Sequence, residues 1–150
     1  MRILIAYATN SGSTYLVAKY VMERLCDREC EMILKNITDV DPDEIDQYDL
    51  VAFGSNSWDF ERKEGQPHHF FMKFLQTAQN VNWSGCKFIL FGCGDRSYQH
   101  FCGALDVIND FVTQHGGQVL AEPLRVDRYY FQDPDEVQKE IDNWVAGLPL

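Results

Sequence analysis

The chain has 150 residues, enough for one domain over residues 1–150 that buries about two thirds of the surface its unfolded form would expose. Its formal charge of −10 argues against nucleic acid and against anionic membrane surfaces, which repel an acidic protein, and favours basic partners. The apolar fraction of 45% suits a folded globule, and no linker, internal repeat or apolar run of membrane-spanning length interrupts it.

The chain enters a strand at once, with no basic segment ahead of a signal core, so a soluble cytoplasmic location is the expectation. Cys26, Cys30, Cys86, Cys93 and Cys102 are odd in number and lack CxxC spacing. Reduced thiols are expected, with no disulfide framework and no zinc or iron–sulfur site.

Ile3 to Tyr7 is an apolar run that reads as the first strand, and Tyr15 to Leu25 spaces Leu16, Val17, Tyr20, Val21 and Leu25 as an amphipathic helix. Between them lies Ala8-Thr9-Asn10-Ser11-Gly12-Ser13-Thr14. A strand-to-helix loop rich in hydroxyls turns helix-terminal N–H groups toward an anion, and the macrodipole favours negative charge there. No lysine follows the glycine as in GxxxxGK[ST], and the three-glycine dinucleotide fingerprint is missing. The expected guest is a lone terminal phosphate, held by backbone and hydroxyl donors without a metal or a cation; the plainer reading is a helix cap.

Glu31 to Lys35 reads as the second strand, and Asn36 to Tyr48, with Pro42, as a surface connection holding one helical turn. Leu50 to Gly54 is a third strand without polar alternation, the pattern of a sheet covered on both faces. Ser55 to Gly65 reads as a polar loop carrying Trp58, followed by a helix over Pro67 to Ala78. Lys87 to Gly92 is the fourth strand and Cys93 to Gly103 a loop. The next helix runs from Ala104 to the Gly116-Gly117 cap. A fifth strand lies within Gln118 to Val126, interrupted near Pro123, and a helix over Asp135 to Val145, capped at Asp133 or Pro134, closes the chain.

Strands alternating with helices predict an α/β fold: a doubly wound parallel sheet of five strands in the order 2-1-3-4-5, with helices on both faces. Ligands of such sheets bind outside the carboxyl ends of the strands, at the switch point between strands one and three. The loops after strands one, three and four therefore converge on one crevice. The first offers phosphate donors, the second Trp58 and the third Tyr98, and two flat rings over one crevice suit a planar heterocycle. Phosphate at one end and ring at the other describe a mononucleotide, with Asp95 and the backbone of Gly94 and Cys102 facing the polar edge of the ring. Either aromatic could instead pack on its own loop.

Trp83 and Trp144 lie away from the strand carboxyl ends and read as packing residues. His68, His69 and His100 have no metal-ligand spacing, so no metal is expected. No nucleophile-base pair is legible either: Ser11 and Ser13 lack an assignable histidine, and Cys93 has only the more distant His100.

Three segments together resemble the FMN-binding segments of the short-chain flavodoxins. They are Thr9-Asn10-Ser11-Gly12-Ser13-Thr14, Gly54-Ser55-Asn56-Ser57-Trp58, and above all Phe91 to Asp106 with its Gly92-Cys93-Gly94-Asp95-Arg96-Ser97-Tyr98 core. The likeness spans the whole chain, including Leu124-Arg125-Val126-Asp127. It implies a flavodoxin-like fold and a low-potential electron carrier, not an enzyme, that moves single electrons on non-covalently bound FMN between redox partner proteins. A monomer is expected. The resemblance assigns the FMN phosphate to Thr9 through Thr14 and the isoalloxazine to a sandwich between Trp58 and Tyr98. Asn56, Ser57 and Asp59 belong to the second segment, and Cys93, Gly94, Asp95, His100, Phe101 and Cys102 to the third, where the backbone at Asp95, His100 and Cys102 would meet the pyrimidine edge.

The chain departs from the family pattern in places. Asp59 follows the tryptophan where the family often has glycine, whose peptide flips so that its carbonyl accepts from reduced flavin N5. A non-glycine residue makes a positive φ costly by about 1 kcal/mol, which predicts a less stabilised one-electron-reduced flavin. Asn10 and Ser13 differ from the commonest loop residues but keep hydrogen-bonding capacity. The run Asp127-Arg128-Tyr129-Tyr130-Phe131 is unusually aromatic, and the sequence assigns it no role.

Three rivals are weighed against this reading. An FMN-dependent quinone or nitro-compound reductase would need a nicotinamide site. A receiver domain of the same topology would need an acidic pair after the first strand, where Tyr7-Ala8-Thr9 stands. An interaction protein that has lost FMN is kept open by Asp59.

Overall fold

The computed structural model describes residues 1–26 and 29–150. The main sheet is built from β1 (Arg2–Ala8), β2 (Glu31–Asn36), β3 (Leu50–Ser55), β6 (Lys87–Gly94), β7 (Gln118–Val119) and β8 (Leu124–Asp127). All its pairings are parallel, in the order β2-β1-β3-β6, with β7 and β8 both beside β6. The predicted order 2-1-3-4-5 is therefore the observed one. Its fifth strand is split: β7 pairs at Lys87 and Phe88, β8 at Phe91 to Gly94, and Pro123 stands in the gap because it has no N–H to continue a ladder.

Alternation along the strands sorts the core into two layers. Leu4, Ala6, Val51, Phe53, Phe88 and Leu90 face one side, packed by α2 (His69–Thr77) and α3 (Gly103–Gln114). Ile3, Ile5, Ala52, Ile89 and Phe91 face the other, under α1 (Ser13–Leu25) and α4 (Pro134–Ala146). Every residue of β3 is buried, as its unbroken apolar run predicts. Trp83 is 1% exposed in the first layer, its indole N–H donating to the Pro42 carbonyl at 3.2 Å, and Trp144 packs on the second layer and donates to Glu122 at 2.9 Å. Both are packing residues.

Two parts of the fold differ from the expectation. The connection before β3 holds two 3-10 turns, Ile37–Asp39 and Pro42–Gln47, capped by the Asn36 and Asp41 side chains. Ser55 to Gly65 is no simple loop. It contains β4 (Ser57–Phe60), which pairs antiparallel with β5 (Lys63–Pro67) as a separate two-stranded hairpin with a register shift between Trp58 and Phe60. Among the described residues, no helix is long and apolar enough to cross a membrane.

Candidate functional site

Three loops meet at the carboxyl ends of β1, β3 and β6, and side chains tie them together. Ser57 Oγ in the hairpin accepts from the Ala104 N–H in the first turn of α3 at 3.0 Å, and Glu64 Oε1 accepts from the Gln99 N–H in the third loop at 2.7 Å. Asp127, at the end of β8, accepts from the Arg96 N–H at 2.8 Å. Backbone donors in a loop need partners when water is excluded, and here those partners lie on neighbouring loops, so the crevice is fixed from several sides.

Two adjoining clefts open there. One, with about 490 Å³ of empty space, is lined by Ser57, Trp58, Asp59, Asp95, Tyr98, His100 and Cys102, together with Glu64 and Gly65. The other, with about 720 Å³, is lined by Asn10, Ser11, Ser13, Asn56, Cys93 and Gly94, and by Arg128, Tyr129, Tyr130 and Phe131. Ser57, Trp58 and Asp95 border both, so the two clefts form one elongated crevice. Trp58 and Tyr98 share the first half, and the hydroxyl-rich loop lies in the second.

Trp58 is held from behind. Its ring stacks on His68 at 5.1 Å and 11° and on His69 at 5.6 Å, and its indole N–H donates to the Pro67 carbonyl at 3.2 Å. Tyr98 has no such support and is 53% exposed. One wall of the first half is therefore rigid and the other adjustable. Asp59 is exposed on β4, at the irregular position of the hairpin, and is absent from the residues with positive φ.

The first loop combines a helix N-terminus with a glycine turn. Gly12 takes φ +92°, a left-handed value that disfavours a side chain, and caps α1 without a side-chain hydrogen bond. The first bond of α1 runs from the Leu16 N–H to the Gly12 carbonyl at 3.1 Å, which leaves the N–H groups of Ser13, Thr14 and Tyr15 without intrahelical partners. Thr9 Oγ1 is used locally, accepting from the Gly12 N–H at 3.0 Å. Thr9, Gly12 and Thr14 line neither cleft, and nor does Phe101, which packs against the first core layer and under Arg96.

Among the described residues, Asn56 Oδ1, of a residue lining the second cleft, is a buried side-chain oxygen without a hydrogen-bond partner. Buried polar atoms are nearly always satisfied, so an orphan on a cleft wall marks a place where a polar ligand fits. The thiols beneath the site are inert. Burial pushes Cys93 up to about 11 against the smaller opposing effect of the Ser13 and Thr14 hydroxyls, and burial pushes Cys102 up to about 12. A neutral thiol is a poor nucleophile, as expected where no base is paired with it. Cys102 has φ +51° at the N-cap of α3. The Asp95 carboxylate is held below its ordinary range by the Ser97 hydroxyl and N–H, so one of its oxygens is committed within the loop. Among the described residues, no group of three or more His, Cys, Asp or Glu side chains is placed to hold a metal ion.

Sequence reasoning missed Glu64, Gly65 and Arg128 to Phe131 as cleft residues. For the last four the aromatic run was the available signal. Arg128 borders the same cleft as Asn10, Ser11 and Ser13, with its guanidinium 3.5 Å from the Asp127 carboxylate.

A family model described as Flavodoxin matches residues 5–144. A flavodoxin of Maridesulfovibrio salexigens is 35% identical over 146 residues, covering 97% of this chain and 94% of that protein. The crystal structure of oxidised flavodoxin 2 from Bacillus cereus superposes with a TM-score of 0.86 at 26% identity, covering 97% of this chain and 96% of that one. A Fusobacterium nucleatum flavodoxin solved bound to flavin mononucleotide shares the fold, with a TM-score of 0.79 at 20% identity over 97% and 95% of the two chains.

Proposed function

The chain belongs to the flavodoxin family, and on that footing we propose that the crevice between the three loops holds FMN with its phosphate at Thr9 to Thr14 and its ring between Trp58 and Tyr98. The protein is an FMN-based electron carrier that serves redox partner proteins and has no substrate turnover of its own. Bound FMN supplies the redox chemistry, accepting and releasing electrons one at a time. The observation that carries the placement is the shared crevice, in which an aromatic half lined by Trp58 and Tyr98 adjoins a hydroxyl-rich half lined by Asn10, Ser11 and Ser13.

The residues divide the work of binding. The N–H groups at the start of α1 and the hydroxyl of Ser13 supply donors for a dianion, with the helix dipole reinforcing them. Asn56 and Ser57 line the passage between the two halves, where the buried Asn56 Oδ1 gains a partner when a ligand's hydroxyls arrive. Trp58, backed by His68 and His69, presents one face, and Tyr98 closes from the other side, excluding water from the ring. Asp59, Cys93, Gly94, Asp95, His100, Phe101 and Cys102 complete the second and third segments, with backbone donors of the last loop meeting the polar edge of the heterocycle. The thiols of Cys93 and Cys102 stay protonated and serve as packing.

Low potential, single-domain monomeric behaviour, a cytoplasmic location and partners with basic docking faces belong to the same proposal, supported by the charge of −10. The test is an absorbance spectrum of the purified protein with quantification of released flavin. One FMN per chain is expected. A colourless protein that takes up no FMN would sink the assignment, and steady turnover of NAD(P)H by the isolated protein would favour a reductase instead.

A further inference from the structure

We propose that Arg128 to Phe131 is a clasp that ties the first cofactor loop to the end of β6, from which the third loop departs, and that the Tyr130 hydroxyl is a positioning residue for the phosphate loop. The proposal rests on the FMN reading above and assigns a role to residues outside the segments that define it. The segment leaves β8 through Arg128, whose N–H donates to the carbonyl of Gly94, the last residue of β6, at 2.8 Å, and turns as a 3-10 helix over Tyr129–Phe131. Tyr129 packs into the second core layer and meets Tyr130 edge-on at 5.2 Å and 88°, so one ring anchors the other. Tyr130 then reaches across the crevice and donates its hydroxyl proton to the Ser11 carbonyl at 2.7 Å, a bond spanning 119 positions of sequence.

The consequence lies in one peptide group. The carbonyl of the Ser11–Gly12 peptide is held by Tyr130, and its N–H is held by Thr9 Oγ1 at 3.0 Å. Both ends of that peptide are thus fixed immediately before Ser13, Thr14 and Tyr15, whose N–H groups have no intrahelical partner. A carbonyl oxygen repels a phosphate oxygen, so a loop that grips a dianion works best with that carbonyl tied away from it. Space enforces the arrangement as well: a Cβ on Gly12 would stand 3.2 Å from the Tyr130 hydroxyl. Tyr130 therefore acts through the loop on the phosphate and has no part in stacking on the ring.

Tyr130→Phe removes the bond and keeps the ring. The side chain is more than half exposed, so the variant keeps its core. Wild type and variant are stripped of flavin, and dissociation constants and release rates are measured for FMN and for riboflavin, which lacks the phosphate, alongside the melting temperature of each apoprotein. FMN binding is expected to weaken roughly fivefold through faster release, because the loop loses its preset geometry, with riboflavin affinity unchanged and apoprotein melting lowered by no more than the few degrees one exposed hydrogen bond supplies. Unchanged FMN affinity overturns the clasp, and so does equal weakening of FMN and riboflavin, which marks a general cover over the crevice. If the wild type itself takes up no FMN, the cofactor assignment fails and the clasp falls with it.

Discussion

At the scale of single residues, the side chains around the crevice differ in how firmly they are held. Trp58 is backed by two imidazoles and a hydrogen bond, whereas Tyr98 stands on the surface of a loop fixed chiefly through its backbone. Asp59 sits beside Trp58 on the hairpin in a conformation without positive φ, where a glycine would flip at little cost. Asp59→Gly is therefore expected to increase the fraction of flavin held at the one-electron level during reductive titration. Identical titration spectra for variant and wild type would remove the argument. Asp59 stands out in the sequence as a departure from a family pattern. Its place at a hairpin irregularity does not, because that depends on pairing with β5.

Among the elements, the hairpin explains most of the difference between expectation and structure. Its turn puts Glu61 and Arg62 at φ +48° and +65°, a left-handed pair of the kind normally signalled by Asn-Gly or Asp-Gly. Charged residues there, and polar strands without alternation, leave no local mark of a hairpin. The helix that follows carries a pH-dependent cap. His68 is 3% exposed, its Nδ1 accepts from the Phe70 N–H at 3.1 Å, and burial, with a smaller contribution from His69, lowers its pKa below the ordinary 6.5. Above about pH 6.5 the imidazole is neutral in folded and unfolded chains alike. As pH falls below that value the unfolded chain takes up a proton that the folded chain refuses, so stability drops until the lowered folded pKa is reached. His68→Asn keeps a capping acceptor and removes the titration. Urea midpoints compared at pH 7 and pH 5.5 are expected to fall less for this variant than for the wild type; an equal fall would place the sensitivity elsewhere.

On the scale of the whole molecule, the chain carries 23 acidic side chains against 13 basic ones, and its crevice is proposed to hold an anionic cofactor. One carboxylate about 10 Å from a reduced, anionic ring opposes it by roughly 1.7 kcal/mol at an effective dielectric near 20, less when salt screens it. Several such charges would depress the final reduction step, the physical basis for the low potential proposed above. The same field would draw basic partners to the molecule. Electron-transfer rates with a basic reductase are expected to fall steeply as ionic strength rises, and rates insensitive to salt would show that the acidity serves solubility alone.

The parallel sheet is legible in the residues alone, since unbroken apolar strands and helical spacing are local patterns that persist whatever surrounds them. The sequence also marks three polar loops at the strand ends, because hydroxyls before a helix and flat rings on separate loops converge on one crevice in such a sheet. What joins the loops emerges only when the chain is packed. Ser57 reaching Ala104, Glu64 reaching Gln99 and Tyr130 reaching Ser11 are contacts between distant segments. Their partners are selected by chain packing, so neither residue of a pair carries a signal of the other. An aromatic run without a role in the sequence thereby becomes, in three dimensions, a segment that links the end of β6 to the first loop along the second half of the crevice.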